Sequence, residues 1–536
     1  MKQWGFLAVV IMATGAVVWG SRSAASITSR PLDAGDAHLE QLDAACVEIW
    51  LRGGVEPVGE ADELTVLRRL TLGLHGVIPS LAQIREFEAD RRPDRLRHWA
   101  HALLEDRKFA DYFAERFARA LVDTLGAETD LYDRSRLVTY LADRFDANAP
   151  FDETARQLIS ASGSPAVRPE VNFVTAAISE DQLNVEMITR RMGRAFLGQR
   201  LDCARCHDDP YSSWRQDGFE GLAGYFAQAS LEGIVVRDDA TRKYTPTPDA
   251  RPEGETASAC LPFEPQWGAD SNSDDDASAD REQLARWITH GENRRFPRAI
   301  VNRLWAIVYG RPLSSPVDNL PDPDVPLVLS PLLDVLEQAF VASGYDVKYV
   351  LQVMVASRPF RLASRYDLRD EGEIDKLLRH FAAFPISRLL PCEAFASLRQ
   401  TASVNTLVGQ VDPVGRFLEE AAAREYGREY GDFGCDELEP APVTTEQALL
   451  QMNGQAIRDS LDADTVGLAN QLAYLSSSDE RCLEACYLVC LARRPDRTEQ
   501  KHFLPQLQQA DSATRVEVIA DTLWSLVNSP EFVHNR

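Results

Sequence analysis

Apolar positions recur along this chain with a helical period, and from Glu60 onward they do so almost without a break. The pattern predicts a helix over Leu39 to Leu51, then one carrying Leu64, Leu67, Leu70 and Leu72 that stops at Gly76-Val-Ile-Pro79. Ser80 is placed to cap the next helix, Leu81 to Asp90, and Pro93-Asp94 opens another over Arg95 to Asp106. Phe109, Phe113 and Phe117 repeat every four residues and read as a core stripe rather than a cofactor box. Further helices are marked by Leu137, Tyr140, Leu141 and Phe145, by the start at Phe151, and by Asp181 to Phe196, which Gly198 should stop.

Periodicity lapses between 238 and 280. There Thr245-Pro-Thr-Pro248, Arg251-Pro-Glu-Gly-Glu255 and Asp270-Ser-Asn-Ser-Asp-Asp-Asp276 read as a solvated, acidic, Pro- and Ser-rich linker. The acidic triplet lacks the spaced ligands and closing Glu of a calcium loop. Helical patterning then resumes over Glu282 to His290, Ile300 to Tyr309, Leu332 to Phe340, Val347 to Ser357 and from Ile386 to Leu398. It continues through Thr445 to Ile457, Cys482 to Leu491, Glu499 to Leu507 and Val516 to Asn528, with Arg424 to Cys435 between them as a loop. Few alternating strand patterns occur and no repeat of solenoid period is present. The expected fold is mostly α: two helical domains, 27–237 and 281–536, joined by the acidic linker 238–280.

The first residues change the address of the chain. Met1-Lys2-Gln3, an apolar run from Trp4 to Trp19 and small residues ending in Ser23-Ala24-Ala25 make residues 1–26 a signal peptide, with an uncleaved signal anchor as the alternative. The protein is therefore expected in the periplasm or cell envelope, touching a membrane only through that segment. With 57 basic against 82 acidic residues the formal charge is −25, which repels phosphate backbones and argues against nucleic-acid binding. A basic partner, such as a redox partner protein, would be steered in.

Chemistry concentrates in Leu201-Asp-Cys-Ala-Arg-Cys-His-Asp-Asp-Pro210. Cys203-x-x-Cys206-His207 is the spacing that attaches haem c, the two thiols adding to porphyrin vinyl groups and His207 standing as proximal iron ligand. Pro210, Trp214, Phe219, Leu222, Tyr225 and Phe226 follow as candidate walls for a flat cofactor. Met187, Met192, His98, His101 or water are candidates for the sixth ligand; a disulfide or structural zinc is the alternative use of the motif. His98 and His101 share a helix face, where a surface pair is the commoner outcome. Of the nine cysteines, Cys482, Cys486 and Cys490 fall at i, i+4 and i+8 and read as buried small hydrophobes. Some of the cysteines outside the motif are free to pair in an oxidising compartment. No Gly-x-Ser-x-Gly elbow or His-Glu-x-x-His motif supports a hydrolase.

Several stretches together resemble one family. They are Arg68-Arg-Leu-Thr-Leu-Gly-Leu-His-Gly-Val-Ile-Pro79, Phe196 to Pro210, Gly221-Leu-Ala-Gly-Tyr-Phe226, Val301-Asn-Arg-Leu-Trp-Ala-Ile-Val-Tyr-Gly-Arg311, Phe340 to Lys348 and Leu523 to Phe532. The chain is similar from about residue 60 to its last residue to the planctomycete-type, cytochrome-C-associated two-domain family, both halves of which are of unknown function. The resemblance implies a helical fold, export, and a site at Cys203, Cys206 and His207; it also implies sulfatase-like neighbours but no established reaction. Asp209 stands where relatives carry a second His, which removes a candidate ligand and weakens a zinc reading. The expectation is an exported c-type haem protein for electron transfer or redox sensing; the alternative is a non-haem helical scaffold in an envelope or polysaccharide-processing assembly.

Overall fold

A computed structural model describes residues 32, 35–122, 131–179, 182–246, 254–269, 280–366, 370–407, 426, 467–511 and 514–536. The leader 1–26, the acidic run 270–276, the loop 424–435 apart from Tyr426, and the helix expected over 445–457 lie outside the described residues. Among those described, no helix is long and apolar enough to cross a membrane.

The chain is mostly helical. The first half supplies α1 (Ala37–Gly53), α2 (Glu63–His75), α3 (Leu81–Ala89), α4 (Arg95–Leu104), α5 (Arg107–Val122), α6 (Arg134–Asp146), α7 (Phe151–Ser160), α8 (Asn172–Thr175), α9 (Val185–Met192) and α10 (Gln216–Ala227). The second supplies α11 (Arg281–Ile288), α12 (Arg295–Tyr309), α13 (Ser330–Ala342), α14 (Val347–Ala356), α15 (Arg358–Arg361), α16 (Glu371–Arg379) and α17 (Pro391–Thr401). A tail adds α18 (Leu468–Leu475), α19 (Asp479–Leu491), α20 (Arg497–Gln509) and α21 (Arg515–Val527). Among the described residues, strands are confined to three short antiparallel pairs: β1 (Ile178–Ser179) with β2 (Gln182–Leu183), β3 (Ala229–Glu232) with β4 (Val235–Asp238), and β5 (Ser387–Arg388) with β6 (His534–Asn535).

Local signals set most boundaries. Ser80 accepts from the Gln83 amide while the Gln83 side chain accepts from Ser80, a reciprocal cap that starts α3. α12 ends where Gly310 turns left-handed at φ 70°, a conformation without Cβ penalty for glycine alone. α9 begins at Val185 rather than Asp181, because Gln182–Leu183 pairs as a strand and the Asn184 side chain caps the Met187 amide at 2.9 Å.

The two halves share one core. Phe109, Phe113 and Phe117 are all buried and run into Phe145 and Phe151, and Phe151 stacks on Phe296 of α12 with centroids 6.3 Å apart. Each such ring contributes roughly 1.5–3 kcal/mol by leaving water. α12 is buried along its whole length and packs on α2 and α13, while α1 packs on α13 and α14. The tail forms a second apolar cluster in which Cys482, Cys486 and Cys490 are fully buried, as expected of small hydrophobes.

The segment read as a linker is packed where it is described. Tyr244 and Ala257 exchange backbone hydrogen bonds at 3.0 and 2.8 Å, and residues 258–262 lie along Gly218, Gly221 and Gly224 of α10. Phe263 anchors the strap against Trp214 and Trp287, with ring centroids 6.0 and 4.7 Å away. A few aromatics and a glycine face suffice to hold a polar segment down, which composition alone does not register.

Candidate functional site

Cys203, Cys206 and His207 sit together on one exposed turn. The amides of Cys206 and His207 both donate to the Cys203 carbonyl at 3.2 Å, so the turn closes around the first thiol. The Cys203 side chain is exposed and that of Cys206 half-buried; all eight cysteines among the described residues are free thiols. His207 is exposed, and its Nδ1 stands 2.7 Å from the Asp208 carbonyl oxygen. A carbonyl only accepts, so Nδ1 carries a proton in this contact; in a neutral ring that leaves Nε2 bare, the form in which imidazole ligates a metal.

The turn is delivered by an unusual helix end. α9 runs into a π-helical turn over Gly193–Leu197, and Gly198 closes it in the left-handed region at φ 59°. A Cβ at Gly198 would stand 2.7 Å from Leu320 and 3.1 Å from Ala299, so the position needs glycine for space as well as for φ. Charged pairs pin the turn to α9: Arg205 bonds Glu186 at 3.0 Å, and Asp202 accepts from Arg190 and Arg194 at 3.0 and 3.2 Å. Burial pushes the Asp202 carboxyl up, but the hydrogen bonds and charges of these two arginines carry it below its ordinary value. The Glu186 carboxylate and the neighbouring Cys206 sulfur hold Arg205 above its own.

The other support comes from the second half of the chain. Arg303, almost fully buried, donates to the carbonyls of Ala195 and Arg194 at 2.9 and 3.2 Å, satisfying groups at the π-helical turn. The adjacent Asn302 grips the 314–317 loop, accepting from the Ser314 amide and donating to the Ser314 carbonyl, both at 2.9 Å. That loop in turn meets the cysteine loop: the Leu320 amide donates to the Gly198 carbonyl at 2.8 Å, and Asp318 accepts from Arg200 at 2.9 Å. Ser213 donates to Asp322 at 3.1 Å. Gln199 stands at the centre, its Nε2 donating to the Leu320 carbonyl at 2.5 Å and its Oε1 accepting from Trp214 Nε1 at 2.9 Å.

The residues expected around a cofactor are distributed otherwise. Trp214, Phe219, Leu222, Tyr225 and Phe226 are buried in the main core, and of the expected walls only Pro210 is exposed. Met192 is fully buried in that core and Met187 packs against it. His98 and His101 lie on α4, which packs on α2, α5 and α14, whereas the cysteine turn is tied to α9; His98 Nδ1 is 3.3 Å from the Asp94 carbonyl. Among the described residues no group of three or more His, Cys, Asp or Glu side chains is placed to hold a metal ion. A groove of about 370 Å³ between α3 and the tail, with Leu81, Arg85, Leu472 and Arg481 on its wall, includes none of the cysteine-loop residues.

The motif in the sequence marks Cys203, Cys206 and His207, which the structure places on one turn, but it gives no sign of Gln199, Arg303 and Asn302. A usable signal existed for one of them: a tryptophan close to the motif needs an acceptor for its indole N–H once buried, and Gln199 is the near polar side chain. The residue types are those covalent haem requires, one exposed and one half-buried free thiol with an imidazole on the same turn.

Two family models match the chain. PSCyt2, a protein of unknown function (DUF1549), covers residues 41–230, and PSD1, a protein of unknown function (DUF1553), covers residues 280–407. No curated protein and no solved structure matches it. The cysteine loop thus lies in the first matched region while Asn302, Arg303 and the 314–322 loop that brace it lie in the second, and the chain belongs to the family that joins a PSCyt2 domain to a PSD1 domain.

Proposed function

We propose that this protein is an exported haem carrier of the cell envelope, with Cys203 and Cys206 as thioether positions and His207 Nε2 as axial ligand. The observation that carries the reading is the His207 imidazole anchored through Nδ1 on the Asp208 carbonyl, on the same turn as two free thiols. Haem held there would supply one-electron chemistry, suiting electron transfer or redox sensing. The chain's own contribution is to present the thiols to solvent, fix the imidazole tautomer, and hold the turn against α9 through Arg205–Glu186 and Asp202. The net charge of −25 favours a basic redox partner and disfavours nucleic acid. Sulfatase-like neighbours belong to the same reading, through the family resemblance.

The burial of Trp214, Phe219 and Tyr225 in the core favours a second reading, a non-haem scaffold whose Cys203 and Cys206 form a disulfide or share a metal. Expression of the full chain with its leader in a host competent for cytochrome maturation separates the two. Haem-linked mass at the peptide holding Cys203 and Cys206, with a Soret band lost in Cys203→Ser/Cys206→Ser, supports the first. Colourless protein at bare polypeptide mass, beside a control cytochrome that matures normally, sinks it. Mass two hydrogens lighter, or stoichiometric zinc, installs the second.

A further inference from the structure

Four hydrogen bonds in series connect the second domain to the ligating histidine. The Leu320 carbonyl accepts from Gln199 Nε2 at 2.5 Å, and Gln199 Oε1 accepts from Trp214 Nε1 at 2.9 Å. The Trp214 carbonyl then accepts from the Asp209 amide at 2.9 Å, and the Asp208 carbonyl accepts from His207 Nδ1 at 2.7 Å. The last two share a peptide plane. Asp208 C=O and Asp209 N–H belong to one rigid unit, so the bond that holds its N–H also aims its C=O at the imidazole.

We propose that Gln199 and Trp214 are positioning residues through which the PSD1 half fixes the tautomer and orientation of His207. Gln199 and Trp214 are nearly fully buried, so neither side chain has water as a substitute partner. Leu320 lies in the loop held by Asn302, and the π-helical turn before Gln199 is held by Arg303. The cysteine loop is therefore closed at its neck by one carboxamide, and both walls of that neck are set by consecutive residues of α12. An imidazole whose Nδ1–H bonds a carbonyl is a better ligand through Nε2 and cannot rotate to offer Nδ1 instead. The consequence for iron ligation rests on the haem reading; the tautomer does not.

The test uses the full chain, with histidine ¹⁵N-labelled and Cys203 and Cys206 changed to Ser so that no haem attaches. At alkaline pH, once the ¹⁵N shifts themselves show a neutral ring, they report the tautomer directly. The parent should show His207 in the Nδ1–H form. Trp214→Phe keeps the packing but removes the indole donor, and should move the tautomer ratio toward Nε2–H by about fivefold, the worth of one hydrogen bond near 1 kcal/mol. Gln199→Met, which at similar volume removes the carboxamide bonds to Leu320 and Trp214 together with a third to the Gly198 carbonyl at 2.9 Å, should do the same, and serves if Trp214→Phe fails to fold. An Nε2–H parent, or a folded variant with an unchanged ratio, overturns the proposal, because loss of packing alone leaves the tautomer where it was. If the ratio moves as expected while the intact chain carries no haem, the positioning role stands and the haem reading falls; haem with an unmoved ratio gives the reverse.

Discussion

Replacing Gly221 by Ala sets two well-known effects against each other with opposite signs. Gly221 lies in the middle of α10, where alanine is the better helix former by about 0.8–1.0 kcal/mol, so a free helix would gain. Here the strap lies on that face. An ideal Cβ at 221 would stand 2.4 Å from the Cys260 carbonyl oxygen and 3.2 Å from its carbonyl carbon. Carbon and oxygen settle at about 3.3–3.6 Å, so the strap must retreat by roughly 1 Å. The atoms in the way are backbone, and the Cys260 amide donates to the Gly221 carbonyl at 3.1 Å, so retreat also strains that bond. Overpacking costs about 1–3 kcal/mol and the hydrogen bond about 1 more, against the propensity gain. The expected net is a loss of about 1–3 kcal/mol. Urea unfolding gives the magnitude, and limited proteolysis gives its location, because a lifted strap should be cut within 254–269 before the helices open. Gly291→Ala, with nothing within 4 Å of its added carbon, is the control and should stay within about 0.5 kcal/mol of the parent. A Gly221→Ala protein about 1 kcal/mol more stable and no easier to cut would show that the strap does not lie on α10.

Two further outcomes follow from buried charge. His75 is buried with Nε2 2.8 Å from the Leu103 carbonyl, and burial holds its pKa below the ordinary imidazole value of 6.5. Above pH 6.5 both states are neutral there and stability is flat; below it the unfolded chain binds the proton first, so stability falls by up to about 1.4 kcal/mol per pH unit until the folded ring also titrates. Urea midpoints from pH 8 to 5 for parent and His75→Gln should show that slope lessened in the variant, and equal slopes would refute it. Arg281 is almost fully buried and bonds Asp238 at 2.7 and 2.8 Å, Ser162 at 3.0 Å and the Ile159 carbonyl at 3.1 Å, tying β4 to the first residue of α11. Arg281→Met should cost about 2–3 kcal/mol by urea unfolding, less than a fully buried pair because Asp238 is 35% exposed and regains water; a loss under 0.5 kcal/mol would refute the tie.

What could be read from the chain in advance divides by the range over which each feature is decided. The Ser80 cap, the stop at Gly198 and the stripe of Phe109, Phe113 and Phe117 are written within a few residues of where they act, and the structure has each in place. The cysteine turn was legible for the same reason, its three groups lying within five residues. Its supports were not, because they are backbone carbonyls and long-range partners: Gln199 meets Leu320 across 121 residues, and Arg303 meets Ala195 across 108. A carbonyl has no sequence signature, so a buried arginine that binds two of them looks in the sequence like any other polar position on a helix. The aromatics after the motif misled in the opposite direction. Phe219, Leu222 and Phe226 follow a helical period that serves a core face as well as a cofactor wall, and periodicity cannot tell which body lies opposite. The packing of residues 258–262 was hidden on the same ground, since the glycines that receive them are on α10 and not within the segment. The two matched domains therefore do not divide the chemistry between them. One carries the thiols and the imidazole, and the other carries the loop against which those groups are aligned, so separating them should leave the motif intact and its geometry undefined.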